Sequence, residues 1–103
     1  MSLLENLESM LARGQDNALV HYGLGGEYLK LEEYQKAIEH LQKALTHDPN
    51  YSAAWKLLGQ ALAASNRNQE AIETYERGMK IAEDKGDKQT AREMKVFLKR
   101  LQK

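Results

Sequence analysis

Residues Tyr28–Asn50 read YLKLEEYQKAIEHLQKALTHDPN, and this stretch decides the fold. Ala37, Leu41, Ala44 and Leu45 recur at three- and four-residue intervals, which places them on one stripe of a helix. Asp48-Pro49 stops that helix, because proline lacks the amide hydrogen and restricts the residue before it. Upstream, Leu24 and Tyr28 are four apart and share a face of an earlier helix. The stretch is therefore the end of one helix, a corner near residues 30–34 and a second helix. The question it raises is whether this hairpin stands alone.

It does not. Shifted by 34 residues, the sequence meets itself without insertion. Leu24-Gly25 falls on Leu58-Gly59, Gln35 on Gln69, and Ala37-Ile38-Glu39 on Ala71-Ile72-Glu73. Backwards, Glu5, Leu7 and Leu11 fall on Glu39, Leu41 and Leu45. A fixed period of this length marks stacked helical hairpins, each hiding its apolar face against the next. The first helix then looks like the second half of a unit whose first half is missing.

These residues resemble the tetratricopeptide repeat family. In the first full unit the matching positions are Leu24, Gly25, Tyr28, Tyr34, Ala37, Ala44 and Pro49, with His21 where the family usually has tryptophan. In the second they are Trp55, Leu58, Gly59, Ala71 and Tyr75. There Leu62, Asn68, Gly78 and Glu83 depart from the pattern. The resemblance implies an all-α, right-handed superhelix of helix-turn-helix repeats in a single domain. A flanking helix would occupy 1–16, repeats 17–50 and 51–84, and a capping helix 86–103. The sequence predicts six helices, at about 2–13, 18–31, 34–46, 51–65, 68–85 and 88–102. Asp16 or Asn17 is placed to cap the second, and Gly86-Asp87 to end the fifth and cap the sixth.

Composition bounds the function. The 103 residues carry 15 basic and 15 acidic side chains, so net charge gives no reason to expect nucleic acid or an anionic membrane as partner. Without cysteine there are no disulfides, thiolate metal sites or thiol nucleophiles. The opening MSLLENLESMLARGQ mixes acids with leucines and does not read as a secretory leader. No apolar run approaches the ~20 residues that span a bilayer. A cytoplasmic protein without membrane insertion is the expectation.

Charge is uneven along the chain. Residues 1–50 hold 4 basic and 8 acidic residues; residues 51–103 hold 11 and 7. On the last helix Lys88, Arg92, Lys95, Lys99 and Lys103 form a basic stripe, opposite an apolar arc of Ala91, Met94, Phe97, Leu98 and Leu101. Three readings of the stripe stand: a solvated face of a capping helix, favoured by the helix dipole; a contact for an acidic partner, including a second copy of the chain; or an anion site for nucleic acid or lipid. No aromatic interleaves with the stripe as base stacking would require.

The family resemblance implies a concave groove lined by the first helix of each repeat. By family position the first repeat offers Leu19, Tyr22, Gly26, Leu29 and Lys30. The second offers Ala53, Lys56, Leu57, Gln60, Ala63 and Ala64. Tyr22 is the expected anchor, Lys56 a partner for a carboxylate and Gln60 a holder of peptide backbone. Leu19 and Leu29 have the alternative of packing beneath the end helices. Some relatives grip the C-terminal carboxylate of chaperone tails with lysines and asparagines. Here Tyr22, Gly26 and Ala64 stand at those positions, which disfavours that use. The implied function is non-catalytic binding of a protein or peptide, with homo-oligomerisation or an acidic partner on the last helix as alternatives.

No enzyme or cofactor signature is present. His40 and His47 are seven apart on one helix, an unusual ligand spacing, and His21 is expected to fill core space as a hydrogen-bonded residue. There is no HExxH. Tyr22-Gly23-Leu24-Gly25-Gly26 lies inside a periodic helix, without the strand and lysine of a phosphate loop. Glu39–Lys43 and Glu73–Arg77 read as i,i+4 ion pairs.

Overall fold

A computed structural model describes all 103 residues as six helices and no strands. They are α1 (Leu3–Ala12), α2 (Ala18–Lys30), α3 (Tyr34–His47), α4 (Ser52–Ala64), α5 (Asn68–Asp84) and α6 (Lys88–Leu101). Each predicted boundary lies within a residue of the observed one. The ends are set by local chemistry. Ser2 and Glu5 form a reciprocal capping box at α1, and the Asn17 side chain accepts from the Val20 amide at 2.9 Å. Asp87 caps α6 by accepting from Thr90.

The corners after α2 and α4, which contain no glycine, use left-handed residues instead: Glu32 at φ 60° and Asn66 at φ 64°. They occupy equivalent places, 34 residues apart, after α2 and α4. Asparagine tolerates this conformation well; glutamate does so at some cost.

Consecutive helices pack against one another, and α4 also touches α2 and α6. The first helices α2 and α4 therefore lie side by side, with α6 next in the row. The core runs through Ala37, Ile38, Leu41, Trp55, Leu58, Leu62, Tyr75 and Met94. Two contacts repeat with the 34-residue period. A Cβ on Gly25 would lie 2.5 Å from Leu41 Cγ, and a Cβ on Gly59 would collide with the ring of Tyr75. Close approach of the paired helices is what these glycines supply, against a propensity cost of about 1 kcal/mol each.

Trp55 fixes the joint between repeats. Its Nε1 donates to the Pro49 carbonyl at 2.8 Å, and the Arg77 guanidinium lies 5.0 Å from its ring. That arrangement corrects one expectation: Arg77 stacks on Trp55 rather than pairing with Glu73. Glu39 and Glu73 instead accept from Gln35 and Gln69, each at 3.4 Å. The apolar arc of α6 is used as expected, with Ala91 and Met94 buried and Phe97, Leu98 and Leu101 packed against the core. No helix is long and apolar enough to cross a membrane.

Candidate functional site

The row α2–α4–α6 carries two adjoining clefts. The first has a volume of about 420 Å³ and brings together Tyr22, Gly26, Leu29 and Lys30 of α2 with Leu57 of α4. Leu3, Gly23 and Glu27 complete its lining. Tyr22 is half-buried because its ring stacks on Tyr51 at 4.8 Å, which holds it as a rigid wall. Lys30 and Glu27 pair at 2.9 Å on the rim, an exposed bridge of small energetic weight. Burial pushes the Tyr51 phenol above its ordinary range.

Gly26 forms an open part of this cleft. A Cβ there would meet only Leu57 Cδ1, at 3.6 Å, an ordinary contact. Its neighbour Gly25 is locked against Leu41, so the two adjacent glycines serve different ends.

The second cleft, about 240 Å³, is lined by Gln60, Ala63, Tyr75, Phe97, Arg100 and Leu101. Gln60 and Ala63 are thus in a cleft, but with α6 rather than with Tyr22. Leu57 and Gln60 are three apart on α4, so the two clefts meet on neighbouring turns. Phe97 and Leu101, expected on the apolar arc of the capping helix, and Arg100, which has no part in the sequence expectation, thus line a cleft. Lys56 Nζ lies 3.0 Å from Glu93 Oε1 and ties α6 to α4. Lys56 already has a carboxylate partner, supplied by the chain itself.

The other expected positions fall apart from these clefts. Leu19 is 69% exposed on α2, and Ala64 is exposed at the end of α4. Lys88, Arg92 and Lys95 line a separate depression with Met79, Glu83 and Ala91. Lys99 and Lys103 continue that face, exposed. No carboxylate lies within ion-pair distance of any of these five cations.

Two tetratricopeptide repeat models match the chain, over residues 28–92 and 4–50. The chain belongs to the tetratricopeptide repeat family. It is 48% identical over 99 residues to the TPR repeat-containing protein PA0015 of Pseudomonas aeruginosa, covering 96% of this chain and 94% of that one. The solution structure of protein BPP2914 from Bordetella parapertussis is 42% identical, with a TM-score of 0.87 over 98% of this chain and 88% of that one. The TPR2B domain of yeast Sti1, solved in complex with pHsp70, superposes with a TM-score of 0.90 over 96% of this chain and 79% of that one. At 21% identity that last likeness is one of fold. The tetratricopeptide architecture is a non-catalytic scaffold, and its members generally act in protein–protein interaction.

Proposed function

We propose that the chain binds a segment of a partner protein across the α2–α4 face, with a side chain of that segment seated over Gly26. The observation that carries this reading is the contrast among the helical glycines. At Gly25, Gly59 and Gly78 a Cβ would clash, and at Gly23 it would press on the Leu7 side chain at 3.0 Å, so packing accounts for each. At Gly26 it would not, yet mid-helix glycine costs about 1 kcal/mol relative to alanine. The open space lies in a cleft walled by Tyr22, Leu29 and Leu57, which suits an apolar anchor, with Lys30 and Glu27 to meet polar groups at the rim. Lys56 and Gln60 extend the face toward α6.

Gly26→Arg is the blocking variant, because it fills the cleft without entering the core. Affinity capture with native and Gly26→Arg baits, read by mass spectrometry, tests the reading. A partner that binds the native bait directly and is lost with Gly26→Arg supports it. Equal recovery on both baits moves the site elsewhere.

A second reading rests on the unpaired cations of α6. Lys88, Arg92 and Lys95 beside Met79 form a face for an acidic partner, or for the acidic half of a second copy. Binding through it would weaken steeply with salt, and a solution mass of one chain over a wide concentration range would remove the self-association form.

A further inference from the structure

All three histidines of the chain meet at one place. His21 comes from α2, His40 and His47 from α3. The His21 ring centroid lies 5.3 Å from that of His40 and 5.7 Å from that of His47. Asp16, in the loop before α2, reaches both outer nitrogens. Its Oδ1 is 2.6 Å from His21 Nε2 and 2.9 Å from His47 Nε2. One potential ligand atom from each of Asp16, His21 and His47 lies within 4.8 Å of the others. From these contacts we propose that Asp16, His21 and His47 form a binding site for a divalent transition-metal ion of the zinc class.

The donor set fits that class. Two imidazole nitrogens and one carboxylate oxygen suit zinc, cobalt, nickel or copper, whereas calcium and magnesium prefer oxygen ligands alone. Three protein ligands leave a fourth position to water, and the exposure of Asp16 and His47 leaves that side open. Around a tetrahedral ion with bonds of about 2.0–2.1 Å, ligand atoms stand about 3.3 Å apart. Asp16 would therefore withdraw by less than about 1 Å, which its carboxylate, 58% exposed, is free to do, and the exposed His47 would close on His21 from a separation of up to 4.8 Å.

The remaining histidine positions the buried ligand. His21 is 1% exposed, and its Nδ1 lies 3.0 Å from His40 Nδ1. An ionised Asp16 only accepts, so in the metal-free protein His21 Nε2 carries the hydrogen. In that tautomer His21 accepts at Nδ1 and His40 Nδ1 donates. Metal at His21 Nε2 displaces that hydrogen to solvent. The His40 Nδ1 hydrogen then passes across the 3.0 Å contact to His21 Nδ1, which donates back to His40, and His40 takes a hydrogen from solvent on Nε2. His40 is thus a supporting residue of a kind usual for metal-bound imidazole. It is itself fixed between His21 and the Tyr28 ring, 5.6 Å away and nearly parallel.

The test uses the full chain, free of any histidine tag, titrated with zinc chloride by calorimetry and with cobalt chloride by visible absorption. The expected result is saturation at one ion per chain, with the strong visible bands of four-coordinate cobalt. His47→Ala and Asp16→Ala, both at exposed positions and checked by circular dichroism for retained helix, should each weaken zinc at least tenfold. His40→Ala should weaken it about 10–100-fold through the orientation of His21. In nitrogen-resolved NMR, zinc should shift Nε2 of His21 and His47 and leave His21 protonated on Nδ1. The proposal is overturned by no saturable binding at millimolar zinc, or by binding that survives both His47→Ala and Asp16→Ala undiminished.

Discussion

Alanine at Gly59 and alanine at Gly26 should change stability in opposite directions. Both glycines are helical, so both substitutions gain about 0.8–1.0 kcal/mol of helix propensity. At Gly59 the new methyl would overlap Tyr75 Cε1, Cδ1 and Cζ. That ring is 1% exposed, and Phe97 packs on it at 5.9 Å, so it yields only by displacing its core neighbours. Overpacking of this kind costs about 1–3 kcal/mol, and contact with three atoms of a held ring places it near the upper value. The net for Gly59→Ala is a loss of about 2 kcal/mol. For a domain of this size that lowers Tm by about 8–16 °C. At Gly26 the methyl meets one Leu57 carbon at 3.6 Å and no penalty opposes the gain. Gly26→Ala should raise Tm by about 3–8 °C. Thermal and urea unfolding followed by circular dichroism would measure both. Shifts of the same sign, or a stabilised Gly59→Ala, would refute the claim that close packing explains Gly59 and that it leaves Gly26 unexplained. If Gly26 is kept for a ligand, the stabilised Gly26→Ala should also bind partner more weakly.

Other outcomes follow from named contacts. Trp55→Phe removes the hydrogen bond to the Pro49 carbonyl and should cost about 1–2 kcal/mol, read as a lower urea midpoint with unchanged slope. Ser2→Ala breaks the capping box and should cost α1 about 1 kcal/mol, seen as faster amide exchange confined to α1. Asp87 accepts from the Ser52 hydroxyl at 2.6 Å and from Thr90, and the first of these chiefly holds its pKa below the ordinary 3.8. Its stabilisation is therefore full above that ordinary value and is lost as pH falls through the depressed one. The gap in urea midpoint between native protein and Asp87→Asn should be wide at neutral pH and close in acid; a gap independent of pH would exclude this role.

The helices and their register were legible in the sequence because both are local. The spacing of Ala37, Leu41, Ala44 and Leu45 fixes a buried stripe, Pro49 fixes an end, and the 34-residue identity of Leu24-Gly25 with Leu58-Gly59 fixes the stacking unit. Even the glycine-free corners could be located from the period, although Glu32 gave no sign of its left-handed backbone. Part of the candidate face was legible for the same reason: Tyr22, Gly26, Leu29 and Lys30 lie along one helix. What joins them to Leu57, and Lys56 to Glu93, depends on how closely α2, α4 and α6 approach. Helical spacing carries no information on that distance.

The histidines show the limit most plainly. Along the chain His21, His40 and His47 are separated by two full turns or more, and Asp16 lies outside any helix. Only the antiparallel packing of α2 on α3, with the Asn17 cap turning the loop back, brings Asp16 Oδ1 to both Nε2 atoms. The sequence by itself determined the elements, their order and the repeat. The tertiary structure decided which side chains face one another, because contact across helices is set by packing geometry and not by position in the chain.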